Sequence, residues 1–106
     1  LSEEQYTRVE ESVDDIAERI RALGLPAPES MIELDKQTPI GDLPTGGDLR
    51  DRVERLVTDY EQAGMRLQSV IREAEECGDI RTADLLTEQL GVYEEFAWML
   101  RATSAA

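Results

Sequence analysis

The sequence predicts an all-α helical bundle. Three stretches space their apolar residues by three and four, the repeat of one helix face. All four prolines fall between the first and second of these stretches, so no proline interrupts a helical pattern. No run alternates apolar and polar residues as a half-buried strand would. A length of 106 residues fits a single domain, residues 1–106, with a modest core.

The first helix is predicted over about Glu3 to Leu23. Its stripe is Tyr6, Val9, Val13, Ile16, Ala17, Ile20 and Leu23, and Gly24, Pro26 and Pro28 end it. The second runs from about Leu49 to Cys77. Its stripe is Val53, Leu56, Val57, Tyr60, Leu67, Val70, Ile71 and Ala74, with Asp48 as N-cap and Gly78 as terminator. The third runs from about Ile80 to Ala102 behind Asp79, another N-cap residue type. Ala83, Leu86, Leu90, Tyr93, Phe96, Ala97 and Leu100 lie along one side of it. The short Gly78-Asp79 turn makes the second and third helices an antiparallel hairpin. The long connection, Leu25 to Asp48, has room for a short helix over Ser30 to Lys36, capped by Ser30. A connection of this length crosses the end of a bundle, so the first two helices need not be antiparallel neighbours. Three such helices would leave an apolar groove open where a fourth could lie.

Charge narrows the function. Asp plus Glu number 24 against 11 Lys plus Arg, a net charge of −13. Such a surface repels nucleic acid and anionic membranes and attracts cations. Lys36 is the one lysine, and neither terminus is basic, so DNA binding is not expected. The single cysteine, Cys77, cannot form an internal disulfide, which fits a reducing cytoplasm. No apolar run approaches the ~20 residues of a membrane span. Histidine is absent. A Ser/His or Cys/His mechanism therefore has no base in these residues. Cys77 has Glu75 and Glu76 beside it and no activating cation in sequence. Trp98 and Tyr93, at helical spacing with Leu90 and Leu100, are expected to pack rather than to relay electrons.

The chemistry that remains is carboxylate binding of a cation. Asp14 and Glu18 are one helical turn apart on one face of the first helix. Like charges at that spacing weaken a helix by a few tenths of a kcal/mol, a cost that a bound cation reverses. At 100° per residue they point away from the apolar stripe, on a face shared with Glu3 and Thr7. They are thus outside the core, which fits a site between subunits and equally fits plain solvent exposure. With so many acids in so short a chain, such a pair is also expected by chance.

Several strings taken together are more specific. Asp14-Asp15-Ile16-Ala17-Glu18-Arg19-Ile20 is followed by Leu23-Gly24 and Pro26. Gly78-Asp79-Ile80-Arg81-Thr82-Ala83-Asp84-Leu85-Leu86-Thr87-Glu88 precedes Phe96-Ala97-Trp98-Met99-Leu100-Arg101-Ala102, and Glu3-Glu4-Gln5-Tyr6 stands upstream. In this order and spacing, from Glu3 to Ala102, they resemble the Dps family, the DNA-protection-during-starvation mini-ferritins.

The resemblance implies part of a ferritin-like bundle that begins after the family's first helix, and with it a hollow dodecameric shell. Such shells oxidise Fe(II), usually with hydrogen peroxide, and store the ferric mineral as protection against oxidative stress. The family's ferroxidase centre lies between two subunits: histidines from the first helix of one, an Asp and a Glu from the second helix of the other. Asp14 and Glu18 fall on that Asp and Glu, and Glu3 falls where many members carry an accessory Asp. The histidine-bearing first helix has no counterpart in these residues. The family's acidic threefold pore, which admits ions, implies roles for Asp84 and Glu75, with Asp79 one step from a pore position and equally a helix cap. The implied function is that of a ferroxidase subunit with iron as substrate. The alternative is a non-enzymatic helical shell or interaction protein that has lost the centre.

Overall fold

A computed structural model describes residues 2–34 and 49–104. It contains four helices in the order α1 (Glu3–Leu23), α2 (Glu29–Leu34), α3 (Leu49–Glu76) and α4 (Ile80–Ser104). Among the described residues there is no strand, and the chain is an all-α bundle.

Local chemistry sets the ends of the helices. Ser2 and Gln5 close a reciprocal capping box at the start of α1: Gln5 N donates to Ser2 Oγ (3.1 Å) and Ser2 N to Gln5 Oε1 (2.8 Å). Glu3 and Glu4 add negative charge to the same end, where the helix dipole favours it. At the other end Gly24 takes φ 68°, and its N–H donates to Arg21 O (3.2 Å) while Leu25 N donates to Ile20 O (3.1 Å). The same motif ends α3. Gly78 has φ 77°, its N–H donates to Glu75 O (3.0 Å), and Asp79 N donates to Ala74 O (2.8 Å).

One core joins all four helices. Val9, Val13, Ile16, Ala17 and Ile20 of α1 meet Met31 of α2, Val53, Leu56, Val57 and Tyr60 of α3, and Tyr93, Phe96, Ala97 and Leu100 of α4. Phe96, fully buried, is its centre. The Tyr60 ring lies 5.5 Å from it edge-on and 5.4 Å from Tyr93. The Arg19 guanidinium covers its other side, 5.0 Å from the ring centroid. A second, smaller cluster of Ile71, Ala74 and Ala83 holds the α3–α4 turn together. α3 and α4 form the expected hairpin, and α1 lies mainly against α4 rather than α3.

Several expectations change. The short helix begins at Glu29 and ends at Leu34; Asp35 and Lys36, assigned to it from sequence, lie outside the described residues, as does the Asp48 cap. Ser30 is not at its N-cap. It is buried inside the helix and donates to an Asp59 carboxylate oxygen of α3, which fixes α2 on the hairpin. Tyr6, Leu23 and Val70 share the predicted stripes but are exposed, because they sit at stripe ends or edges where no helix reaches. The five core residues of α1 are buried in the cluster shared with α2, α3 and α4, and a groove of about 350 Å3 lies open between α3 and α4. The exposed large apolar side chains of the hairpin are Met65, Val70, Ile80, Leu85 and Trp98. Trp98, expected to pack, is 68% exposed, whereas Tyr93 is buried as expected.

Candidate functional site

α1 is unbroken through Asp14 and Glu18, so its regular geometry sets both side chains one turn apart on one face. Glu18 is exposed and Asp14 half-buried, while Val13 just before them and Ile16 and Ala17 between them turn into the core. The pair therefore borders the core without entering it. Asp14 also takes part in an interaction within the chain.

Arg19, the next residue, anchors this stretch to α4. Its two terminal nitrogens donate to both Glu95 carboxylate oxygens at 3.2 and 3.1 Å, and one nitrogen lies 3.8 Å from the Met99 sulfur. The fork pairs with a planar carboxylate in both bonds. The Glu95 carboxyl is accordingly held below its usual range by the hydrogen bond from Arg19 and by its charge. Farther along, Ser12 Oγ and Thr103 Oγ1 are 3.0 Å apart, and Thr103 Oγ1 donates to Met99 O (2.7 Å). The rotation of α1 against α4 is thus fixed on both sides of Asp14. No sequence signal pointed to Arg19, because its partner Glu95 is remote in the chain.

Glu3 lies on the same face as Asp14 but three turns away, roughly 16 Å along the axis at 1.5 Å per residue. The fold does not bring Glu3 and the pair to one position within a subunit. Glu3 instead borders a shallow depression with Glu4, Thr7, Arg8 and Glu11. Among the described residues, no three side chains of His, Cys, Asp or Glu converge as a metal-holding group.

The second candidate region flanks the α3–α4 turn. Glu75, Asp79 and Asp84 are all exposed. Asp79 is committed to the start of α4: Thr82 N donates to Asp79 Oδ1 (3.1 Å) and Thr82 Oγ1 to Asp79 Oδ2 (2.7 Å). These two hydrogen bonds lower its carboxyl pKa. Of the two roles open to Asp79 in sequence, the structure shows the cap. Asp84 and Glu75 present their carboxylates to solvent on either side of the turn. No described helix is long and apolar enough to cross a membrane.

Comparison with known proteins gives this arrangement a family. The ferritin-like domain family matches residues 1–105. A low temperature-induced protein of Nostoc sp., itself described as uncharacterized, is 38% identical over 96% of this chain and 58% of its own length. The DNA protection during starvation protein 2 of Bacillus anthracis is 37% identical over 94% of this chain and 68% of its own length. The antigen TpF1 of Treponema pallidum is 34% identical over the whole chain and 60% of its own length. The chain thus spans 58% of the length of the first of these relatives. No solved structure matches. The chain belongs to the DNA-protection-during-starvation (Dps) family of ferritin-like proteins.

Proposed function

We propose that this chain is an iron-handling subunit whose copies enclose a hollow shell, a dodecamer as in the family it resembles, that takes up Fe(II), oxidises it and stores the ferric product. One observation carries the reading. Asp14 and Glu18 stand on one face of α1, at the core's border, within the string that matches the family's acidic ligands. Carboxylates are hard ligands suited to iron. Two of them leave most of the coordination shell open, so the centre is completed by imidazoles from another subunit. Exposed Asp84 and Glu75 supply the field that draws Fe(II) toward the shell. Glu3, about three turns away along α1, offers an accessory carboxylate for the metal rather than a ligand at the same position as the pair. With hydrogen peroxide as oxidant, two Fe(II) each give one electron, the O–O bond breaks, and two waters complete two FeO(OH) with release of four protons. The cytoplasm is the compartment that fits an unpaired Cys77.

The test is stopped-flow Fe(II) oxidation by peroxide on the longest natural form of the protein. Asp14→Asn and Glu18→Gln should each slow oxidation at least roughly tenfold, since a neutral amide is a poor ligand for a hard cation. Folding should persist, because neither side chain is in the core. Unchanged rates in both variants leave the second reading: a helical shell of the same family without a ferroxidase centre. That reading draws on the absence of histidine from these 106 residues.

A further inference from the structure

A cavity of about 230 Å3 lies between the α1–α2 connection and α3. Pro26 and Pro28 form one wall, which offers carbon and no N–H. The Pro28 carbonyl is already taken by Met31 N (2.9 Å) and Ile32 N (3.3 Å). Tyr60 and Tyr93, both buried, border the cavity from the core side. The Tyr93 hydroxyl accepts from Gln89 Nε2 (3.0 Å). The Tyr60 hydroxyl has no hydrogen-bond partner among the described residues. Tyr60 also borders the groove between α3 and α4, but Asp59, whose charge reaches the Tyr60 phenol, borders this cavity and not that groove. The orphaned hydroxyl therefore belongs to this side of α3. Gln62 and Arg66, both exposed, stand at the mouth, and Arg66 has no ion pair among the described residues.

We infer that this cavity binds a small hydroxylated aromatic carboxylate: its ring against the prolines and tyrosines, its hydroxyl on Tyr60 and Asp59, its carboxylate on Arg66 and Gln62. Size sets the class. A dry cavity of about 150 Å3 holds benzene, so this one has room for a single ring with a substituent at each end. Pockets for larger ligands run from about 300 Å3 upward. One water would answer the hydroxyl but takes only about 30 Å3, which leaves the apolar wall without a partner. Charge sets the orientation. The Asp59 carboxylate, which already accepts from Ser30 Oγ, repels an anion at the deep end. A hydroxyl there accepts from Tyr60 and donates to Asp59, so both are satisfied by one neutral group. Arg66 lies roughly 9 Å farther along the α3 axis at 1.5 Å per residue, a separation that one ring with groups at opposite ends bridges. Its planar fork matches a carboxylate. Neither Asp14 nor Glu18 borders the cavity, so the inference is independent of iron oxidation.

The probe is para-hydroxybenzoate, titrated calorimetrically into the longest natural form of the protein. Benzoate, which lacks the hydroxyl, and para-hydroxybenzyl alcohol, which lacks the carboxylate, are titrated beside it. The expected result is one para-hydroxybenzoate per chain with a submillimolar dissociation constant, and each comparison compound about tenfold weaker. Tyr60→Phe should weaken para-hydroxybenzoate about tenfold and leave benzoate unchanged, because only the bond to the hydroxyl is lost. Arg66→Gln should weaken para-hydroxybenzoate about tenfold and leave the alcohol unchanged. A general disturbance of the fold would not sort the three compounds in this way. Both variants should fold, since the first keeps the buried ring and the second alters an exposed side chain. The inference is overturned by no binding at millimolar probe, by equal affinity for all three compounds, or by binding that both variants leave intact. Asp14→Asn should bind the probe as the parent does, so failure of the iron reading and failure of this one are told apart.

Discussion

At the scale of the residue, Tyr60 shows how closely this core is closed. Its ring is 2% exposed and bridges Phe96 and Tyr93, so the aromatic body contributes much of the packing between α3 and α4. Its hydroxyl is buried, and among the described residues it has no hydrogen-bond partner. Burial, with the neighbouring Tyr93 and Asp59, pushes the phenol well above its ordinary pKa, so it is neutral at physiological pH. A buried hydroxyl that gave up its bonds to water without replacement costs about 1–3 kcal/mol. Tyr60→Phe keeps the ring and removes that cost. It should raise the unfolding free energy by about 1 kcal/mol in a denaturant melt. A loss of stability would mean that the hydroxyl is satisfied. The sequence placed Tyr60 in the α3 stripe correctly, but periodicity reports only the direction of a side chain. It cannot show whether the tip of that side chain meets a polar atom.

At the scale of the element, the helix ends were legible because their chemistry is local. Gly24, Gly78 and Asp79 each act on groups within a few residues, and the bounds of α1 were predicted to the residue, although its Ser2 cap was not read from the sequence. What was not legible depends on contacts remote in sequence. Trp98 is one position from Ala97, which is buried, and a step of 100° decides which of them faces the core. Only the position of α1 against α4 settles that. Ser30 was read as a cap from its residue type, yet it serves as a latch to Asp59 because α2 lies on α3. Asp79 offers a test at this scale. Its carboxyl is held below the ordinary value of 3.8 by Thr82, so its contribution is present above that pH and lost as pH falls through the lower folded value. Asp79→Asn retains an N-cap acceptor but does not titrate. Thermal melts between neutral pH and pH ~3 should therefore show a smaller drop in midpoint for Asp79→Asn than for wild type. Parallel curves would show that the cap adds nothing to acid sensitivity.

At the scale of the whole molecule, the candidate centre was only partly legible because, on the function proposed above, a single chain holds only part of it. The sequence located Asp14 and Glu18, and the fold places them on a face of α1 that the core leaves uncovered. On the function proposed above, what completes the centre lies in the relation between copies, and neither periodicity nor local motif encodes that. The separation of Glu3 from the pair follows from the helix being continuous, a fact that matching strings does not supply. Charge belongs to this scale as well. Against the net −13, the described arginines Arg19 and Arg101 already hold Glu95 and Glu61, which removes them from any basic surface. Binding to duplex DNA draws most of its affinity from neutralised phosphates and released counterions, and each phosphate contact needs a free cationic side chain. Assembly into a shell would multiply the repulsion, since every added copy brings the same charge. The protein should therefore leave linear duplex DNA unshifted in a native gel at low salt and micromolar protein, the condition most favourable to electrostatic binding. Adding salt should make no difference, because there is no attraction to screen. A submicromolar shift that weakens steeply with salt would show instead that copies assemble so as to gather their arginines onto one surface.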